Sequence, residues 1–151
     1  MTDTIIQMKH RILCVTLASL LGVSGCMSLF HPQAEEWYQQ AKGATGQQTA
    51  LTLISMMDTA TQQAKTELGE SPGLNNLHNQ FHALQKTFCD FSDQQAATTA
   101  YEQALTLQQE LKTVFHRLGK FKNDTSLRAI HLDLFVKRLQ ELRTAVQSIP
   151  S

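Results

Sequence analysis

Three observations predict an all-α fold: an antiparallel up-down bundle of four long helices, preceded by one short helix. From residue 26 onward the chain is rich in Ala, Leu, Gln and Lys and poor in Gly and Pro, a composition that favours helix over sheet. Apolar residues recur at spacings of three and four over long runs. Short polar, Gly- or Pro-containing breaks separate those runs, which places consecutive helices side by side.

Pro32 suits the first turn of a helix, where its missing N–H costs nothing. Ala34, Trp37, Tyr38 and Ala41 then share a face, so 32–42 reads as a short amphipathic helix. Gly43 to Gly46 end it. The second run, 47–68, carries Leu51, Ile54, Met57, Ala60, Thr61, Ala64 and Leu68 as its stripe, widened by Leu53 and Met56. Gly69, Pro72 and Gly73 turn the chain. Leu74, Leu77, Phe81, Leu84, Phe88 and Phe91 repeat in heptad fashion, the clearest packing pattern in the sequence. Asp93 is the expected cap of the next helix, whose stripe is Ala97, Ala100, Ala104, Leu107, Leu111, Val114 and Leu118. Gly119 and the polar run 120–125 interrupt it, and Asp124, Thr125 or Ser126 caps the last helix. Leu127, Ile130, Leu134, Phe135, Leu139, Leu142, Val146 and Ile149 form the final stripe, which Pro150 ends.

The N-terminal 25 residues have a different character. Lys9, His10 and Arg11 precede an apolar run from Ile12 to Val23, which leads into Val23-Ser24-Gly25-Cys26. A basic flank, a short apolar run and small residues before a cut site make a secretory signal peptide. The run is too short to span a membrane, which takes about 20 residues. Met8 beside Lys9 is the expected start. Val-Ser-Gly-Cys resembles the lipobox of bacterial lipoproteins, and the resemblance covers 9–26. It implies diacylglyceryl transfer to the Cys26 thiol, cleavage after Gly25, and acylation of the new amine with palmitate-type chains. At about 0.8 kcal/mol per buried methylene, several chains anchor durably where one would not. Met27 stands where an inner-membrane retention signal would place aspartate, so the resemblance implies the outer membrane, facing the periplasm. The expected organisation is a signal peptide over 1–25, a lipidated tether over 26–31 and a helical domain over 32–151.

Export leaves Cys89 as the one mature cysteine besides Cys26, so no intramolecular disulfide forms. Beside Phe88, it is expected to be buried as a small hydrophobe. The formal charge of zero hides an asymmetry. Residues 26–110 carry three basic and nine acidic side chains, and residues 111–151 carry eight basic against three acidic. Two readings follow: acidic and basic helices pair within the bundle, or a basic C-terminal surface around Lys137, Arg138 and Arg143 meets an anionic partner.

Catalytic chemistry finds little support. Cys89 and His82 stand two helical turns apart, about 10 Å along the axis, too far for proton transfer. No nucleophile–histidine–acid set, phosphate loop or Glu-x-x-His pair occurs. The chain is therefore expected to bind rather than catalyse, and to need no cofactor. His78 and His82, four apart on one helical face, have the spacing for two imidazoles to grip one transition metal; half-buried polar filling is the alternative. The helical layout, with Phe115-His116 late in one helix and Phe81 and Leu84 in the helix before, is similar to soluble periplasmic b-type cytochromes. That resemblance implies His116 as a haem ligand, but the expected axial methionine has no clear counterpart, since Met27 adjoins the anchor and Met56 and Met57 lie mid-helix. With no Cys-x-x-Cys-His, covalent haem attachment is excluded.

The sequence thus predicts a membrane-anchored lipoprotein that binds a protein partner of the cell envelope and no nucleic acid. Trp37 and Tyr38 are candidate contact residues, together with Lys137, Arg138 and Arg143. A haem- or metal-binding carrier is the alternative.

Overall fold

In the computed structural model, residues 32–151 are described, and the expected signal segment and tether, with Cys26, lie outside them. The described chain is all-helical: α1 (Pro32–Ala41), α2 (Gly46–Thr66), α3 (Pro72–Thr87), the single-turn α4 (Asp93–Ala96), α5 (Thr99–Lys120) and α6 (Thr125–Gln147).

Each start is set by a side chain that accepts an otherwise unpaired backbone N–H. Thr45, Ser71, Thr98 and Asp124 do this for α2, α3, α5 and α6. Ser92 and Gln95 form a reciprocal capping box at α4. Asp93 is therefore the first residue of α4 and not a cap. The segment read as one helix from Asp93 onward is two, because Thr98 restarts the chain and leaves Ala97 exposed. Gly119 does not break α5, which runs to Lys120.

The helix α2 packs on both α3 and α6, α5 packs on α6, and α1 lies against α3 and α2. Leu53, Ile54, Met57, Leu77, Leu84, Leu111, Leu118, Leu132, Phe135, Leu139 and Leu142 are fully buried between them. At one end, Gln47 on the first turn of α2 donates to the carbonyls of Val146 and Ile149 at 2.8 and 2.9 Å. At the other, Arg128 on the first turn of α6 reaches the last turn of α2. Gly73 lets α3 approach α2, since a Cβ there would lie 2.6 Å from the Ala64 nitrogen. Gly69, at φ 69°, makes the turn between these helices.

The final stripe is rotated from the predicted one at its start. Leu127 and Ile130 are 37% and 60% exposed, while Arg128 and Leu132 are buried. Leu68 is likewise exposed, because α2 ends at Thr66. Cys89 is exposed as well: it follows α3 in a turn whose buried positions are taken by Phe88 and Phe91.

Candidate functional site

The imidazoles of His78 and His82 project from successive turns of α3, and their Nε2 atoms lie 3.0 Å apart. The ring centroids are 4.9 Å apart. Leu77, Phe81 and Leu84, all buried, fix the adjacent face of this helix in the core. Phe115 of α5 stands 5.4 Å from His78, centroid to centroid, and Phe81 stands 6.3 Å from His82. The Nδ1 of His82 pairs with Gln85 Oε1 at 3.1 Å. A carbonyl oxygen only accepts, so His82 carries a proton on Nδ1. No group of three or more His, Cys, Asp or Glu side chains arranged to hold a metal occurs among the described residues. His116 is exposed on α5.

The two aromatic candidates on α1 separate. Tyr38 is buried, with its hydroxyl donating to Asp90 at 2.6 Å and the Lys86 ammonium 4.0 Å above its ring. Burial first, then the hydrogen bond and charge of Asp90, push its pKa to about 12. Lys86 also binds Glu35 at 2.7 Å, which together with Gln39 holds the Glu35 carboxyl below its usual range. Tyr38 thus docks α1 on the end of α3 and presents no exposed contact surface. Trp37 is half-buried and packs against the core.

Part of the charge asymmetry resolves into pairs between helices. Arg143 of α6 bonds Asp58 of α2, and Lys65 of α2 bonds Asp133 of α6 at 2.9 Å. Arg138 of α6 meets Glu110 of α5 at 3.2 Å and Glu141 of its own helix, and these carboxylates raise its pKa. Lys137 is exposed. The basic C-terminal stretch is therefore divided: Arg138 and Arg143 are held by acids of the same chain.

Arg128 is the residue that sequence reasoning missed. It is 2% exposed. Its Nη1 donates to the carbonyls of Gly69 and Lys122 at 2.8 and 3.0 Å, and its Nη2 to Ala64 at 2.8 Å and to Ser71 Oγ at 3.4 Å. Burial lowers its pKa, opposed by the charge of Glu67. Beside it lies a shallow cavity lined by Leu68, Ala129, Leu132 and the Lys65–Asp133 pair. An arginine between two apolar positions reads as a solvated face in a periodicity argument. The one available sign was that helix C-termini attract cations, and the Gly69–Gly73 turn supplies such a terminus.

No protein-family model, curated protein or solved structure matches this chain.

Proposed function

We propose that the chain is an envelope lipoprotein, anchored through Cys26 in the outer membrane and facing the periplasm, whose helical domain binds a protein partner and performs no catalysis. The observation that carries the anchor is the sequence Val23-Ser24-Gly25-Cys26 behind a short basic-and-apolar leader. We read the domain as an antiparallel up-down bundle of α2, α3, α5 and α6, with α1 docked on one side. Support comes from the pairing of opposite ends of α2 and α6 by Gln47 and Arg128 and from the short connections between successive helices. No helix among the described residues is long and apolar enough to cross a membrane, so the anchor in this reading is the lipid.

Partner binding rests on Leu68, Leu127 and Ile130. Leu127 and Ile130, three residues apart, share an exposed face on the first turns of α6, and Leu68 is exposed on the α2–α3 connection; exposed apolar surface marks interaction sites. The contact surface proposed here therefore differs from the expected Trp37–Tyr38 patch.

Mass spectrometry of the membrane-extracted chain tests the anchor. A species beginning at Cys26 with added acyl mass, lost from membranes on Cys26→Ala, is the expected result; an unlipidated chain retaining 1–25 refutes it. For the partner, a photo-crosslinking residue at Ile130 is expected to give a discrete adduct in cells that the same probe at Thr113 does not. Equal adducts at both positions, or none at either, refute the surface.

A further inference from the structure

Resting on the partner-binding reading above, we propose that the outer face of α6 receives one amphipathic helix of the partner, with apolar residues at spacings of three and four and acidic residues on its flanks. Leu127, Ile130 and Leu134 follow one another at those same spacings, so their side chains share one face of α6. Leu127 and Ile130 are exposed, and Leu134 is half-buried. On a different face of the helix, Leu132, Phe135 and Leu139 are buried in the core. The helix thus carries two apolar stripes, one packed within its own fold and one turned outward. Spacings of three and four are those by which one helix seats its apolar stripe on another.

Charge selects the flanks. Contacts that run forward along α5 through Glu110, Phe115 and Phe121 run backward along α6 through Arg138, Phe135 and His131. Arg117 lies seven residues after Glu110, two turns on along the same side of α5, which brings it to the seam beside His131. The Lys120 ammonium stands 5.8 Å from the centre of the Phe121 ring, and that ring touches His131. Lys137, seven residues beyond Ile130, continues the outer stripe. Arg117, Lys120 and Lys137 are exposed and make no ion pair among the described residues. The neighbouring carboxylates are engaged within the chain: Asp124 accepts from the Leu127 N–H at 2.8 Å, Asp133 binds Lys65, and Glu110 and Glu141 hold Arg138. Acidic side chains on an incoming helix complete the unpaired cations, the use that flanking charges have in paired helices. A second copy docked on this face by symmetry would set like charges together instead.

The experiment titrates the purified chain into two labelled synthetic peptides and reads fluorescence anisotropy. Both carry the same leucine stripe at spacings of three and four, flanked by glutamate in one and by lysine in the other. The glutamate-flanked peptide is expected to bind about tenfold more tightly, a preference that shrinks in added salt. Ile130→Glu is expected to weaken its binding about tenfold. Arg117→Glu, Lys120→Glu and Lys137→Glu together are expected to invert the preference between the peptides. All four substitutions are at exposed positions, and circular dichroism reports that the variants fold. Equal affinity for the two peptides, or a preference that the triple variant leaves unchanged, overturns the acidic-helix assignment. A discrete in-cell adduct at Ile130 would then still uphold the partner reading, whose own failure is the missing adduct. A free chain that sediments as a dimer, and as a monomer after Ile130→Glu, gives this face to a second copy and overturns the assignment as well.

Discussion

The Arg128 guanidinium, on the first turn of α6, donates through Nη2 to the Ala64 carbonyl in the last turn of α2 at 2.8 Å. That carbonyl belongs to a helix C-terminus, where the final C=O groups lack intrahelical partners and carry partial negative charge. Arg128 also holds the carbonyls of Gly69 and Lys122, tying the α2–α3 turn to the α5–α6 turn. Arg128→Ala leaves buried acceptors unpaired and is expected to cost about 3 kcal/mol of stability. Arg128→Lys is expected to recover less than half of that, since an ammonium cannot reach carbonyls on both sides as a planar fork does. Urea unfolding monitored by circular dichroism measures both; a loss under about 0.5 kcal/mol for Arg128→Ala would show that the bonds are replaced by water.

Two glycines give opposite expectations for the same substitution. Gly73→Ala sets a Cβ 2.6 Å from the Ala64 nitrogen and 3.0 Å from the Ala60 carbonyl, both backbone atoms that cannot swing aside. The helices must part, at an expected cost of about 2 kcal/mol. Gly119 lies within α5 with nothing within 4 Å of its Cβ position. Gly119→Ala is expected to stabilise by up to about 1 kcal/mol through helix propensity. Thermal melts of the two variants should move in opposite directions.

How far the fold was legible in the sequence follows from where packing agrees with periodicity. The stripe through Leu77, Phe81 and Leu84 and the one through Leu107, Leu111, Val114 and Leu118 are buried as their spacing requires. Helix starts at Ser71 or Thr98 were missed because many polar residues can cap, and tertiary context selects among them. Leu127 and Ile130 were misplaced because a charged residue between them fills the interior, where carbonyls of the α2–α3 and α5–α6 connections await a donor. The spacing of His78 and His82 on one helical face was legible; the Gln85 partner of His82 and the Phe115 ring beside His78 needed the folded chain. Tyr38 was placed on an apolar face correctly, but its pairing with Asp90, 52 residues away, carries no local signal.

Tyr38 gives the fold an alkaline limit. Its pKa rises from 10.0 to about 12 in the folded chain, so the native state favours the neutral phenol. The stabilisation is fully present below pH 10, the unfolded value, and is lost as pH climbs from there through about 12. Unfolding free energy measured by urea titration is therefore expected to fall more steeply over that interval in the wild-type chain than in Tyr38→Phe. At neutral pH the phenylalanine variant is expected to lose about 1 kcal/mol, for one hydrogen bond to an exposed carboxylate. Parallel pH profiles for the two chains would contradict the burial of the phenol.

Arg143 and Asp58 join α6 to α2, each about one-third exposed, and they decide between the two readings of the basic C-terminal stretch. If Arg143 serves the fold, Arg143→Glu sets two carboxylates against each other and is expected to cost about 1 kcal/mol, with Asp58→Arg costing a similar amount. Combining the two restores an ion pair of reversed polarity, and the double variant should regain most of the stability lost in either single one, a coupling that a double-mutant cycle reads directly. The cost should shrink in high salt, because partly exposed charges are screened. A basic surface reserved for an anionic partner behaves differently: Arg143→Glu would leave unfolding unchanged and reduce binding to anionic vesicles, and Asp58→Arg would not rescue it. Restoration of stability by the swapped pair assigns the charge asymmetry to helix pairing, and leaves the exposed Lys137 as the residue of that stretch positioned for an outside contact.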